Sequence, residues 1–215
     1  MDSVTTRTIS STAEAQQDML PLMEDFYTIQ GEGFFQGHAA YFIRLGGCDV
    51  GCVWCDVKES WDAAAHPQVS VEAMVEKAKA SGSTIAVITG GEPAMYNLQQ
   101  LTLALQHAGL RTHIETSGAY ALTGTWDWVC FSPKKFKAPV SSVYAQADEL
   151  KVVIYNKSDF SWAEEFAGKV RPDCKLFLQP EWSKEKEMLP LIIDYIKAHP
   201  QWQVSLQVHK YMNIP

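Results

Sequence analysis

Three cysteines, Cys48, Cys52 and Cys55, stand in a C-x3-C-x2-C spacing within GGCDVGCVWCDVKESW, Gly46 to Trp61. Asp49 and Gly51 between them are turn-compatible, so a tight loop can aim three sulfurs at one centre. The loop supplies no fourth thiol. Closed structural zinc sites take four ligands, usually two close pairs far apart in sequence, and common ferredoxin clusters take four thiolates. Three thiolates on a four-iron cluster would leave one iron open to another molecule, which makes the arrangement reactive rather than structural. The plainer readings are three buried small hydrophobes, or a zinc site completed by a histidine. A motif of this spacing placed directly after a strand favours the cluster. Val53 and Trp54 inside the loop would shield it from water and so affect its potential. Cys130 and Cys174 lie in or beside apolar runs and read as core packing.

The elements that must position this loop alternate along the chain. Met23 to Ile29 reads as a first strand ending in the turn-prone Gln30-Gly31-Glu32-Gly33, and Tyr41 to Leu45 as a second leading into the cysteines. Ser70 caps a helix whose apolar positions Val71, Met74, Val75 and Ala78 recur at helical spacing, stopped by Ser81-Gly82. Thr84 to Thr89 is an apolar strand followed by Gly90-Gly91-Glu92-Pro93. Asn97 caps a helix through Leu98, Leu101, Leu105 and Ala108, stopped by Gly109. Strands follow over Thr112 to Glu115, Trp128 to Phe131, Leu150 to Ile154 and Lys175 to Leu178, with a helix over Asp159 to Ala167. Leu189, Ile192, Ile193 and Ile196 mark a long helix, and Val204, Leu206 and Val208 alternate as a last strand. Strand–helix alternation predicts a parallel sheet with right-handed crossovers. The glycine-bearing and polar stretches follow strands, where loops of α/β folds share one face. A full eight-fold barrel typically needs about 250 residues, so the 215 present predict a shortened, open barrel.

Composition narrows the class. Hydrophobic residues make up 47%, with seven Trp, nine Phe and eight Tyr, enough for a substantial core in one domain. A net charge of -7 argues against a broad nucleic-acid or anionic-membrane surface. Five cysteines, an odd number with three clustered, do not form a disulfide framework. Reduced thiolates fit a cytoplasmic compartment. Residues 1–18 have no apolar segment typical of export signals and read as a mobile leader before a single domain over 19–215, and no apolar run reaches membrane-span length.

The cysteine motif after an early strand, with GGEP downstream, resembles the radical S-adenosyl-L-methionine (SAM) superfamily. Further stretches sharpen the match: FYTIQGEG (Phe26 to Gly33), FIRLGGC (Phe42 to Cys48), ITGGEP (Ile88 to Pro93), IETSG (Ile114 to Gly118), SPK (Ser132 to Lys134), ELKVVI (Glu149 to Ile154), LQP (Leu178 to Pro180) and the terminal HKYMNIP. Together they resemble the 7-carboxy-7-deazaguanine synthase family from about Phe26 to the last residue. The resemblance implies an α/β fold, a modified, incomplete (β/α) barrel of the radical SAM type. It implies a 4Fe-4S cluster on Cys48, Cys52 and Cys55 whose open iron binds the amino and carboxylate groups of SAM. It also implies reductive cleavage of SAM to methionine and a 5′-deoxyadenosyl radical. Hydrogen abstraction from C6 of 6-carboxy-5,6,7,8-tetrahydropterin would follow, then rearrangement with ring contraction and loss of ammonia, and the hydrogen would be returned so that SAM acts catalytically. An electron donor such as a flavodoxin, and a homodimer, are implied as partners, with no nucleic acid and no membrane.

The same resemblance distributes roles. Trp54, Cys55 and Asp56 on the cluster loop, Gly90, Gly91 and Glu92, Ser132, Pro133 and Lys134, and Gln179, Pro180, Glu181 and Trp182 fall where the family holds SAM. Glycines admit close backbone approach, whereas Glu92 could be no more than a helix-start acid. Ile29, Gln30, Gly31, Glu32, Thr89, Glu115 and Pro215 fall on the substrate side. A pterin edge is a row of donors and acceptors, which suits an amide and exposed peptide groups; the alternative for Gln30-Gly31 is an ordinary turn. Arg44 would pair with the substrate carboxylate, or else form a surface ion pair. Glu115 would meet the guanidine-like pterin edge or a neighbouring lysine. His209 and Lys210 would anchor the tail.

One position departs from the pattern. Family members often carry a hydroxyl after Cys-Asp that ligates Mg2+, and this chain reads Cys55-Asp56-Val57. Magnesium needs oxygen ligands, so weak or absent dependence is expected, with Arg44 and a lysine carrying the substrate's charge. Alternatively, water, substrate oxygens and Asp56 hold the ion. Two rival functions stand beside this one. A glycyl-radical activase often adds ferredoxin-like cysteine sets, which are absent here; a non-catalytic Fe-S or zinc protein would need a fourth ligand and no SAM pocket.

Overall fold

Short runs rich in Val and Ile become the central strands of one sheet, because strands buried on both faces suit a parallel sheet covered by helices. The computed structural model describes residues 19–215, so the leader expected over 1–18 lies outside the described residues. In chain order the strands are β1 (Met19–Ile29), β2 (Ala39–Leu45), β3 (Gln68–Ser70), β4 (Ile85–Gly90), β5 (Arg111–Thr116), β6 (Trp128–Phe131), β7 (Glu149–Ile154), β8 (Lys175–Pro180) and β9 (Trp202–Val204). The helices are α1 (Val71–Ala80), α2 (Gln99–His107), α3 (Ser158–Ala167), α4 (Glu185–Ala198) and α5 (Val208–Met212). The strand order β3-β1-β2-β4-β5-β6-β7-β8-β9 does not close on itself. It is an incomplete α/β barrel.

From β2 to β9 every pairing is parallel, as strand–helix alternation predicts. The first three strands differ. β1 runs antiparallel to both β2 and β3; against β2 it keeps one register from Ile29 opposite Ala39 to Glu24 opposite Arg44, and the register shifts before Leu22 meets Leu45. The reason is length. Only Gln30 to His38 joins β1 to β2, enough for a turn and too short for the dozen residues of a crossover. β1 also starts earlier than Met23, because Met19, Leu20 and Pro21 pair with Ser70, Val69 and Gln68 of the unforeseen β3. The helix start read at Ser70 holds, its Oγ accepting from Ala73 N (3.2 Å), whereas the start read at Asn97 falls one residue early: Leu98 is the cap, and Asn97 Oδ1 accepts from Gln99 N (3.0 Å) in the turn before it.

The end of the chain departs from its pattern. Val204, Leu206 and Val208 alternate, yet the strand stops at Val204 and Val208 begins α5. Ser205 N still donates to Leu178 O of β8 (2.9 Å), and beyond it the chain leaves the sheet for the β1–β2 turn: Gly33 N donates to Ser205 Oγ (3.0 Å), and Val208 N to Gly31 O (3.0 Å).

Two apolar layers clamp the sheet between strands and helices. Ile43, Leu45, Ile88 and Ile114 pack with Met74, Leu101 and Leu105, and Phe131, Leu150, Val152 and Leu178 pack with Met188, Ile192 and Trp202. Inside the barrel, Phe35 and Phe42 pack on Ala40, Ile85 and Val87 near the amino ends of the strands, leaving the carboxyl ends open. Among the described residues no helix is long and apolar enough to cross a membrane. Leu101 has no exposed surface, so Leu101→Ala should lower the unfolding free energy by about 2–5 kcal/mol in urea titration. Ile193→Ala, at a side chain 43% exposed, should stay within about 0.5 kcal/mol of the parent.

Candidate active site

The loop after β2 carries the three cysteines to the carboxyl end of the barrel. Its stem is stitched by Gly46 N to Pro21 O (2.8 Å), Gly47 N to Ser60 O (2.6 Å) and Cys48 N to Trp61 O (3.1 Å). Asp49 accepts from Tyr120 Oη (2.5 Å) and Lys137 Nζ (2.6 Å), which holds the loop against the segments after β5 and β6. Cys48, Cys52 and Cys55 gather with Val50, Trp54, Ala119 and Tyr120 in one small apolar cluster and face a cavity of about 480 Å3. Trp54 is half-buried with its ring edge on Phe136 at 6.1 Å, while Val53 points outward, 68% exposed, and shields nothing. Cys130 and Cys174 are buried and lie outside this lining.

These sulfurs fit a cationic iron–sulfur group. Burial pushes the Cys52 thiol up to about 11, against the pull of Lys134, and its neighbours Cys55 and Cys48 push the same way. Burial also raises Cys48, with Glu92 and Cys55 adding to it. Deprotonated together, the three sulfurs would repel one another, and bound metal would supply the positive charge between them.

Glycines at the end of β4 let the next loop press onto the first. A Cβ on Gly91 would collide with the Gly47 carbonyl and the Cys48 side chain, and one on Gly90 (φ 142°) with the Leu45 backbone. Glu92 is buried, and its carboxylate accepts from Ala94 N (3.1 Å), Thr116 Oγ1 (2.6 Å), Ser117 N (2.8 Å) and Ser117 Oγ. It lines the cavity; one of its bonds caps the turn at Pro93, and the other three tie it to Thr116 and Ser117 at the end of β5. Lys134 Nζ donates to Ser132 O (2.7 Å) and Ser132 Oγ (2.6 Å) and sits 5.9 Å from the Trp54 ring centre; burial lowers its pKa. Pro133 is buried behind them and does not face the cavity. Gln179, Pro180, Glu181 and Trp182 line the rim, with Gln179 Oε1 accepting from Ser205 Oγ (2.7 Å).

The other end of the cavity is polar and tightly bonded. Ile29, Gln30, Gly31 and Glu32 line it with Thr89, Glu115 and Pro215. Lys151 Nζ bridges Glu32 Oε2 (2.6 Å) and Glu115 Oε2 (2.8 Å), Gln30 Nε2 donates to Glu115 Oε1 (3.3 Å), and Gln207 Nε2 donates to Glu32 Oε1 (2.8 Å). Burial alone would push the Lys151 ammonium down, but Cys130, Glu115, Glu32 and Glu149 around it hold it well above the usual lysine range. Burial likewise works to raise Glu32, and Lys151 and Gln207 overcome it, bringing its pKa down to about 2. Glu115 therefore meets both its expected cavity position and its alternative lysine partner. Arg44 also lines the cavity, but its Nε is engaged by Glu24 Oε1 at 2.7 Å, the ion pair weighed against its substrate role.

Sequence reading gave no role to Lys151, Gln207 or Glu149. The signal was present for Lys151: a lone cation amid the apolar ELKVVI run is rarely buried unless paired. For Gln207 nothing local distinguishes it from surface residues. Asp56 lines the mouth and accepts from Lys210 Nζ at 2.9 Å, beside Val57.

Comparison with known proteins finds relatives over most of the chain. A family model described as the radical SAM superfamily matches residues 42–125. The 7-carboxy-7-deazaguanine synthase of Flavobacterium psychrophilum is 61% identical over 198 residues, covering 92% of this chain and 94% of that protein. The synthase of Synechocystis sp. is 50% identical, covering 90% and 93%. The crystal structure of QueE from Escherichia coli superposes with a TM-score of 0.79 at 31% identity, covering 92% of this chain and 98% of that one.

The Glu32 shift sets a pH dependence. With a folded pKa of about 2 against an ordinary 4.5, Glu32 contributes stability that is complete above pH 4.5 and lost as pH falls towards 2. Glu32→Gln should therefore remove part of the acid-side slope, on the order of a few kcal/mol, in urea unfolding measured from pH 5 down to 2.

Proposed function

The chain belongs to the 7-carboxy-7-deazaguanine synthase family of radical SAM enzymes, and on that premise we propose how its residues divide the work. It is a radical SAM enzyme of 7-deazapurine biosynthesis that converts 6-carboxy-5,6,7,8-tetrahydropterin to 7-carboxy-7-deazaguanine with loss of ammonia. The activase and the non-catalytic metal protein find no support in relatives of this identity. One observation carries the residue assignment: a single cavity is lined at one end by three cysteines and at the other by a bonded row of amide, carboxylate and ammonium groups.

Cys48, Cys52 and Cys55 would hold the 4Fe-4S cluster, and Trp54, Gly90, Gly91, Glu92, Ser132, Lys134 and the Gln179–Trp182 rim would surround SAM. Bound there, the two supply one-electron radical chemistry; the protein's part is to bind, orient and exclude water. Lys134 contributes a cation whose hydrogen bonds go to neutral oxygens, leaving its charge free to attract a carboxylate. Gln30, Glu32, Glu115 and Lys151 are cross-bonded before substrate arrives, so the pterin edge meets donors and acceptors already in place. Arg44, with one nitrogen on Glu24, can offer its remaining guanidinium edge to the substrate carboxylate.

Magnesium does not fit this chain's ligand set. Val57 offers only carbon where a hydroxyl is needed, and Asp56 is already paired with Lys210. The reading also includes a single radical SAM domain over 19–215 behind the 1–18 leader, a homodimer, an outside electron donor such as a flavodoxin, and a cytoplasmic setting. Support for the last is the need to keep three thiols reduced.

Anaerobic reconstitution, reduction and mass analysis with the carboxypterin test the function. About four irons and four sulfides per chain are expected, with carboxydeazaguanine formed. Cys48→Ala should abolish SAM cleavage, whereas Cys130→Ala should lose stability at most. Zinc without sulfide, or no product, would refute the reading. Separately, magnesium titration of desalted, cluster-loaded enzyme should show weak or no dependence in the parent and a requirement appearing in Val57→Thr. A steep requirement in the parent defeats the metal assignment.

A further inference from the structure

Beyond β9 the chain crosses the mouth of the cavity. Ser205 and Gln207 bond to the β1–β2 turn, and Val208 N donates to Gly31 O. The His209 ring lies against Gly31, at a point where a Cβ would collide with it. All of these contacts hold the start of the segment to one side of the cavity. Its end is turned inward by Asn213, whose left-handed backbone (φ 53°) lets Ile214 N donate to His209 O (3.1 Å) and sets Pro215 in the lining.

Lys210 reaches the opposite side. Its Nζ donates to Asp56 Oδ2 (2.9 Å) and Gln207 Oε1 (3.1 Å) and sits 5.0 Å from the centre of the Trp182 ring, against whose edge Tyr211 packs at 5.4 Å. Among the described residues, Lys210 is the member of this segment that hydrogen-bonds the cysteine loop. Asp56 directly follows Cys55, so the lysine ties the tail to the part of that loop nearest the cysteines.

We propose that Lys210 is a positioning residue that latches the C-terminal segment to the cysteine loop and thereby sets the substrate end of the cavity. The proposal rests on the pterin reading above. With the latch made, the segment is held on both sides and Pro215 stays over the cavity. With it broken, the last turn is left with contacts to Trp182 and within itself. The lysine is 21% exposed and Asp56 58%, so the pair alone is weak. Its effect comes from closing a segment already held at its other end.

Charge exchange tests this. Backbone deuterium exchange over 207–215 is measured on substrate-free, cluster-loaded protein, with KM and kcat alongside. Lys210→Glu and Asp56→Lys should each speed exchange at Ile214 by about threefold or more, with Val208, held by Gly31, changing less, and Lys210→Glu should raise KM. Combining them should return exchange close to the parent. Lys210→Met, which keeps the stem over Trp182, should loosen the segment less. Parent-like exchange in both single variants, a double variant no tighter than the singles, or faster exchange with unchanged KM in Lys210→Glu would overturn the latch. Exchange is read without substrate, so these failures are distinct from failure of the pterin reading, which would appear as no turnover in the parent.

Discussion

The buried carboxylate of Glu92 fixes the loops on which the cysteines depend. A carboxylate removed from water is costly unless its oxygens are bonded, and here donors from Ala94, Thr116 and Ser117 all converge on it. Its own backbone nitrogen donates to Gly47 O (2.9 Å), and that of Gly91 to Leu45 O (3.0 Å). The segments after β2, β4 and β5 therefore form one body rather than three independent loops. A cysteine loop with little regular structure acquires rigidity from the strands behind it. Rigid placement matters for a site whose sulfurs, once deprotonated, would repel one another until a cationic group joins them.

The opposite end of the cavity follows a different economy of charge. Lys151 is only 4% exposed and would lower stability were it unpaired. Glu32 and Glu115 make it tolerable, and Gln30 and Gln207 extend the network to both chain ends. Against an apolar replacement of similar volume, buried pairs of this kind add little net stability, although removing one partner leaves an uncompensated buried charge. Their consequence is geometric: polar atoms stay where a flat, polar heterocycle needs them, with no reorganisation on binding. The same network binds the C-terminal segment to the first turn, so residues 175 positions apart in sequence share one wall.

Particular elements show how far the sequence could be read. The cysteine spacing, the double glycine and the strand–helix alternation each depend on residues close in the chain, and each is found where it was expected. β1 was read short because Met19 to Pro21 find their partner in β3, almost fifty residues later. Val53 was read as a shield because it is apolar and lies inside the loop, but it faces solvent, while its neighbour Trp54 packs on Phe136. Alternation at Val204, Leu206 and Val208 is a true period of two, overridden by hydrogen bonds from Gly33 and to Gly31. Arg44 could be placed at a strand end from sequence, while its partner Glu24 depends on an antiparallel register that only the fold establishes.

The sequence by itself determined the three-thiol loop, its family, the α/β alternation and the glycines that close approach demands, because these are written in residue types at short spacing. Tertiary structure decided which charges meet: Lys151 with Glu32 and Glu115, Lys210 with Asp56, and Glu92 with the end of β5. Ion pairs and buried networks form between elements remote in the chain. Their partners are selected by strand order and register, and no local pattern in the sequence encodes either.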